Sequence, residues 1–109
     1  MKPLKTALFL TIILLMTSCF KPDHSIRIKS DYRDTLINVT VGPASFGQVD
    51  PNATTGYIHI PEGTNNLSGV DKTSRFTTLS GTSYVTGKGK HRWTLTINSD
   101  GTLAFAEDK

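Results

Sequence analysis

The chain has 109 residues, 12 Lys and Arg against 9 Asp and Glu, and a single cysteine. This length accommodates one domain. Two of the lysines lie in an amino-terminal leader, so the rest of the chain is close to neutral. We therefore expect no nucleic-acid binding, which needs a basic face that displaces counterions. One cysteine excludes an internal disulfide and a thiol cluster for zinc, and we expect no metal or other cofactor.

Residues 1–18 have the order of a secretory signal peptide: a basic start, an apolar stretch and small residues before Cys19. The apolar stretch, Ala7 to Met16, is half the ~20 residues that a transmembrane helix needs, so we expect no permanent span. Leu14–Cys19 resembles the lipobox of bacterial lipoproteins, which implies cleavage before Cys19 and its acylation, for example with palmitate. An ordinary signal peptide with an incidental cysteine is the alternative.

Several acyl chains on Cys19 form a stable membrane anchor, whereas one chain alone binds only marginally. Phe20, rather than Asp, follows the cysteine. By resemblance to the sorting rule of Gram-negative lipoproteins, this favours the outer membrane and leaves open whether the protein faces the periplasm or the surface. Residues 19–25 are then predicted to be a lipidated tether of at most ~20 Å, and residues 26–109 the folded domain.

After the tether, short stretches alternate apolar and polar residues, as half-buried β-strands do. The predicted strands are Ser25–Lys29, Ile37–Val41, Phe46–Val49, Tyr57–Ile60, Arg75–Leu79, Ser83–Thr86, Trp93–Ile97 and Leu103–Phe105. Gly, Pro, Asn and Asp between the strands favour turns. Phe46–Val49 is expected at a sheet edge, and the loop ending in Gly101 predicts an antiparallel hairpin between the last two strands.

Helical periodicity is missing after residue 19. The sequence therefore predicts an all-β domain, either a small antiparallel β-sandwich or a barrel-like domain of about eight short strands. Its strand order stays open. The predicted core contains the Ile, Val and Leu residues of these strands together with four aromatic residues: Phe46, Phe76, Trp93 and Phe105.

Several runs of the chain resemble small, mostly uncharacterised β-sandwich lipoproteins of Bacteroidetes-type bacteria. These runs are Asn38–Val41, Phe46-Gly47, Thr54–Tyr57, Ile60–Gly63 and His91–Ile97. The resemblance implies a Gram-negative cell envelope and brings no catalytic or ligand residues. Asp34-Thr35-Leu36 also resembles the O-glycosylation acceptor of Bacteroidetes periplasmic proteins, which leaves glycosylation of Thr35 open.

Residues with catalytic potential are few. The three histidines, His24, His59 and His91, are far apart in the sequence and lack the spacing of metal ligands. No nucleophile elbow is present. The paired carboxylates are expected to be solvated, because a domain this small has little material for the cleft of a hydrolase; they are Asp31 with Asp34, and Glu107 with Asp108. We therefore expect a protein that is not an enzyme.

The segment Gly87–Arg92 carries the densest positive charge of the chain. Lys88, Lys90, His91 and Arg92 are candidates for contact with an anionic surface, either lipid headgroups or acidic polysaccharide. A solvated hairpin loop is the alternative. The three tyrosines are candidates for stacking on sugars.

These observations lead to one main functional hypothesis: a membrane-anchored lipoprotein whose non-enzymatic β-sandwich domain binds or scaffolds an envelope protein or glycan. The alternative is a lipoprotein inhibitor of an envelope-directed hydrolase, which inserts Gly87–Arg92 or Pro61–Gly69 into a cleft. The identity of the partner and the oligomeric state do not follow from the sequence.

Overall fold

Eight β-strands account for most of residues 21–74 and 78–109, which are the residues described by the computed structural model. The strands are β1 (Pro22–Ser30), β2 (Leu36–Val41), β3 (Ala44–Val49), β4 (Ile58–Ile60), β5 (Gly63–Asp71), β6 (Thr78–Val85), β7 (Gly89–Ile97) and β8 (Leu103–Glu107). The predicted signal peptide, Cys19 and Phe76 lie outside the described residues. The predicted strand Arg75–Leu79 lies partly outside them.

The strands form two packed four-stranded sheets. The first sheet has the order β4-β1-β7-β8, and the second has the order β3-β2-β5-β6. The prediction of an all-β sandwich is confirmed, and the two separate sheets exclude the barrel-like alternative. Phe46 lies in β3, which is an edge strand as predicted.

One strand pair departs from the predicted antiparallel arrangement. β1 and β7 run parallel in continuous register from Pro22 opposite Gly89 to Ser30 opposite Ile97. Parallel neighbours cannot be joined by a tight turn, so a long connection must separate them along the chain. Here the chain between β1 and β7 builds the whole second sheet and β4.

The core lies between the sheets and is aliphatic. Alternate residues of β1 and β7 turn inward, so Ile26, Ile28, Leu95 and Ile97 are at most 2% exposed. Burying each such side chain contributes about 1.5–3 kcal/mol to folding. Trp93, Phe46 and Phe105 are only partly buried and pack against this core, so these three of the aromatic residues predicted for the core lie at its margin.

A bulge in β2 changes which of its side chains face the core. Asn38 has φ +54°, and the register with both neighbouring strands shifts beside it. An additional residue in a bulge reverses the alternation on one side of it. Leu36 is therefore buried with Val39, and Ile37, which alternation assigned to the core, is only half-buried.

β5 is a central strand that the sequence did not predict, since Asn65–Gly69 has the residue types of a connection. Its buried positions include Asn65 and Asp71, which are polar. Asn65 donates to the carbonyls of Pro61 (2.9 Å) and Gly63 (3.3 Å). Asp71 accepts from the Tyr32 hydroxyl at 3.0 Å. Hydrogen bonds therefore satisfy these buried polar groups, as burial requires.

β1 begins at Pro22, so four residues predicted for the tether belong to the strand. One end of the sandwich contains the starts of β1 and β7 and the end of β4. We call it the anchor end, because the anchor predicted at Cys19 would lie nearest to it in the sequence. At the opposite end, the connection before β4 covers the end of β1, since Ser30 N donates to Ala53 O at 2.9 Å.

Candidate functional site

The basic segment of the chain lies at the anchor end. Because β1 and β7 are parallel, Gly89 is opposite Pro22, and its backbone N–H donates to the Lys21 carbonyl at 3.2 Å. Only Lys21 and Phe20 separate Pro22 from Cys19 in the sequence. Lys88 and Lys90, both exposed, therefore lie close to the start of β1, which follows the predicted tether.

Most of this segment is strand, not the solvated hairpin loop that was its alternative interpretation. Gly89–Arg92 belongs to β7, and only Thr86–Lys88 connects β6 to β7. Glu62 holds this connection by accepting from Gly87 N at 3.0 Å and from the Thr86 hydroxyl at 3.3 Å. The basic side chains are thus attached to a well-paired strand.

Strand alternation divides the four candidate contact residues. Lys90 and Arg92 are exposed on the outer face of the first sheet, and Lys88 is exposed in the connection. His91 points the other way and is half-buried, with 24% of its side chain exposed. The exposed positive charge of this segment is therefore carried by Lys88, Lys90 and Arg92.

His91 makes two hydrogen bonds that require a protonated ring. Its Nδ1 lies 3.2 Å from Glu107 Oε2, and its Nε2 lies 2.8 Å from the Lys88 carbonyl oxygen. Both partners are acceptors, so both ring nitrogens must donate, which only the imidazolium can do. The Glu107 hydrogen bond, followed by the one to Lys88, raises the pKa of His91 above its ordinary value of 6.5.

His24 and His91 are adjacent, although they are far apart in the sequence. The parallel pairing places them opposite each other, and their rings stack with centroids 5.2 Å apart. His24 is 1% exposed and accepts from Trp93 Nε1 at 3.1 Å through Nδ1. The proton of neutral His24 is therefore on Nε2, which is buried and has no hydrogen-bond partner among the described residues.

Metal ligation is not indicated by these contacts. Across residues 21–74 and 78–109, no three His, Cys, Asp or Glu side chains form a group that could hold a metal ion. His59, the third histidine, is 68% exposed and lies 3.4 Å from Asp23. The same part of the chain contains no helix that is long and apolar enough to span a bilayer.

A surface hollow of about 390 Å³ lies beside Arg92. We call it the basic hollow, and its lining residues are Tyr57, Lys90, His91, Arg92, Glu107, Asp108 and Lys109. The ring of Tyr57 contacts two guanidinium groups, with Arg27 Cζ 5.0 Å and Arg92 Cζ 5.2 Å from its centroid. These are distances at which a cation is attracted to an aromatic ring.

Asp108 connects the polar groups behind the basic hollow. It accepts from the hydroxyls of Tyr57 and Thr94, the latter at 2.8 and 3.0 Å, and lies 3.8 Å from Arg27 Nε. The Tyr57 hydrogen bond is the largest of the contacts that lower the pKa of Asp108. Arg27 Nε in turn donates to the Thr94 hydroxyl at 2.9 Å. Asp108 is therefore bonded within the protein and is not a solvated charge.

Two of the remaining predicted candidates, Asp34 and Thr35, have structural partners elsewhere. Asp34 accepts from the backbone N–H groups of Thr35 (2.8 Å) and Thr73 (3.1 Å). Thr35 is half-buried, and its hydroxyl donates to Asp50 at 3.3 Å. Asp31 is exposed.

The three tyrosines differ in their availability for stacking. Tyr32 is 4% exposed and belongs to the core, whereas Tyr57 already contacts two arginines. Tyr84, on edge strand β6, is 64% exposed. Of the three tyrosines, only Tyr84 therefore has a largely exposed ring on which a sugar could stack.

The sequence indicated Lys90 and Arg92, and Tyr57 as a candidate for stacking on sugars, but not Arg27 or Thr94. The missing signal is strand pairing: Arg27 lies opposite Thr94 in the register of β1 and β7, and Tyr57 immediately precedes β4. Comparisons of the chain with protein-family models, curated proteins and solved structures give no match.

Proposed function

We propose that this protein is a lipoprotein anchored through Cys19, and that its β-sandwich domain binds or scaffolds an envelope protein or glycan without catalysis. In this proposal residues 1–18 are removed as a signal peptide and the anchor lies in the outer membrane. The observation that carries the proposal is the position of the basic segment beside the entry of the tether.

The distances support a role at a membrane surface. Pro22 is the third residue after Cys19, which places the start of β1 at most ~10 Å from the lipid-bearing residue. Lys90 is opposite Asp23, one residue further along the strand. Each Lys or Arg near an anionic surface contributes about 1 kcal/mol to attraction. Lys88 and Lys90 are thus favourably placed to strengthen a lipid anchor.

The absence of catalysis is proposed because the titratable side chains that the fold brings together at His91 and at Asp108 have structural partners. His24 accepts from Trp93, and His91 bonds to Glu107 and to a backbone carbonyl. Asp108 accepts from Tyr57 and Thr94. A general acid or base needs to reach a substrate proton directly or through one water molecule.

The inhibitor hypothesis gains no specific support. Of its two inserting segments, Gly63–Gly69 belongs to central strand β5 and Gly89–Arg92 belongs to β7. The short connections left over, around Glu62 and Gly87, are hydrogen-bonded to each other. An inhibitor of this type needs a loop that protrudes into its enzyme, so we prefer the binding domain.

Membrane fractionation tests the anchor. We expect the wild-type chain to sediment with membranes and to be released by detergent, and Cys19→Ala to be lost from the membrane fraction. A matched variant, Lys88→Gln, removes one exposed charge at the anchor end and should stay membrane-bound, because several acyl chains suffice. Membrane association of Cys19→Ala equal to that of the wild type would contradict the proposal.

A further inference from the structure

We propose that the basic hollow binds carboxylate groups of an acidic polysaccharide, with Arg92 and Lys90 as the contacting cations. This inference rests on the proposed function as an anchored binding domain and specifies the class of glycan. It uses the outer face of the first sheet, whereas the anchor uses Cys19.

The cations of the basic hollow lack carboxylate partners. No carboxylate oxygen of the described residues lies within ion-pair distance of Arg92 or Lys90. Two side-chain carboxylates line the hollow: Glu107 bonds to His91, and Asp108 accepts from Tyr57 and Thr94. The Tyr57 hydrogen bond and, to a smaller extent, the charge of Arg92 lower the pKa of Asp108. Because Lys90, Arg92 and Lys109 line the same hollow, its side chains are positively charged on balance.

Arg92 is held in place by contacts that leave its donors available. Its guanidinium packs against Tyr57, and the Tyr57 hydroxyl is fixed by its hydrogen bond to Asp108. Thr94 and Arg27 complete this support behind the ring. A planar guanidinium with five N–H donors matches a carboxylate in a bidentate arrangement. Supporting contacts of this kind reduce the entropy lost when a ligand binds.

The shape of the site suits a polymer. Lys90, Arg92 and Lys109 are exposed, so the hollow opens to solvent along the flat side of the sandwich, unlike the enclosed pockets of small molecules. The outer face carries a further exposed cation, Lys29. Lys29 lies opposite Thr96 of β7, which is six residues after Lys90 in the same strand. Lys29 and Lys90 are therefore separated by about 20 Å along the strand direction. The cations thus extend from the anchor end along the sheet, which favours a charged chain over a flat lipid surface that touches one end.

The test is calorimetric titration of the full-length protein in nonionic detergent micelles. The probe is polygalacturonate, which bears one carboxylate per sugar, and neutral dextran is the comparison. We expect saturable binding of polygalacturonate, weakened by salt, and no binding of dextran. The loss of a charge-assisted hydrogen-bond pair should lower the affinity of Arg92→Gln about tenfold or more.

Two variants distinguish a built site from general charge attraction. Lys72→Gln removes an exposed cation next to β5 in the other sheet and should change affinity less than about twofold. Arg92→Lys keeps the charge but loses the bidentate fork, and should fall between Arg92→Gln and the wild type. Equal losses in Arg92→Gln and Lys72→Gln, or full affinity in both, would overturn the proposal.

A third titration separates the polysaccharide from lipid headgroups. Micelles that contain phosphatidylglycerol present phosphate without a sugar acid. Binding that appears only with these micelles, and not with polygalacturonate, overturns the glycan proposal in favour of a lipid surface. If polygalacturonate does not bind, the glycan proposal is wrong, but the membrane fractionation that tests the Cys19 anchor is unaffected. Conversely, Cys19→Ala should bind polygalacturonate like the wild type, so the two proposals fail separately.

Discussion

The hydrogen bond between Tyr32 and Asp71 connects the two sheets and provides a stringent test of the fold. Tyr32 follows β1 of the first sheet, and Asp71 ends β5 of the second. The Tyr32 hydroxyl donates to Asp71 Oδ2 at 3.0 Å, and the two residues are 4% and 5% exposed. Burial, and then the hydrogen bond to Asp71, raise the pKa of Tyr32, so the hydroxyl remains a donor at neutral pH.

Tyr32→Phe removes the donor and leaves the carboxylate oxygen buried. Asp71 keeps its backbone contacts through Oδ1, from Thr73 N at 3.0 Å and Ser74 N at 3.3 Å, but Oδ2 loses the hydroxyl. A hydrogen bond to a charged group contributes about 1.5–3 kcal/mol, and water cannot readily replace it at this burial. We expect a loss of about 2 kcal/mol, which for a domain of this size lowers the melting temperature by about 10 °C.

Urea and thermal unfolding of the purified protein measure this loss. Tyr84→Phe is the matched control, because it deletes the same hydroxyl from a side chain that is 64% exposed. It should change stability by less than about 0.5 kcal/mol. Asp71→Asn completes a double-mutant cycle, in which the coupling energy with Tyr32→Phe isolates the pair. Equal melting temperatures for Tyr32→Phe and Tyr84→Phe would refute the burial and contact assigned to Tyr32.

Three further predictions concern other parts of the domain. The hydrogen bond to Glu107 raises the pKa of His91 in the folded state. The stabilisation that protonated His91 provides is therefore complete below pH 6.5 and declines as the pH rises through the raised pKa. The melting temperatures of His91→Gln and the wild type should converge at high pH. Ile28→Ala, at a fully buried position of β1, should cost about 2–5 kcal/mol in urea unfolding. Gly42→Ala should cost more than ~1 kcal/mol, since φ is +56° and a Cβ would overlap with Asn65 Oδ1.

The all-β class and most strands could be predicted because period-two alternation reports burial on one face. This signal fails where the core-facing side chains are polar, as in β5. There Asn65 is buried through hydrogen bonds to the carbonyls of Pro61 and Gly63, and Asp71 through a hydrogen bond from the distant Tyr32. It also fails at the Asn38 bulge, which moves Ile37 out of the core. Neither effect can be read from the local sequence, because both depend on partners that only the folded chain supplies.

The candidate site was only partly predictable for a related reason. Charge density in the sequence indicated Lys90 and Arg92, but the groups that position Arg92 come from other segments. Tyr57 lies before β4 and Asp108 after β8, and the pairing of β1 with β4 and β7 brings them together. The parallel pairing of β1 with β7, about 67 residues apart in the sequence, has no local signature. It also explains the contact of His24 with His91.

Mass spectrometry of the mature amino terminus tests the central claim, anchoring through Cys19, most directly. The protein is purified from its own membranes and digested with trypsin, which Pro22 prevents from cutting after Lys21, so the expected peptide is Cys19–Arg27. The proposed function predicts a chain that begins at Cys19, with the mass of this peptide increased by a diacylglyceryl group. A mature chain that begins elsewhere, or a Cys19 that carries a free thiol, would contradict it.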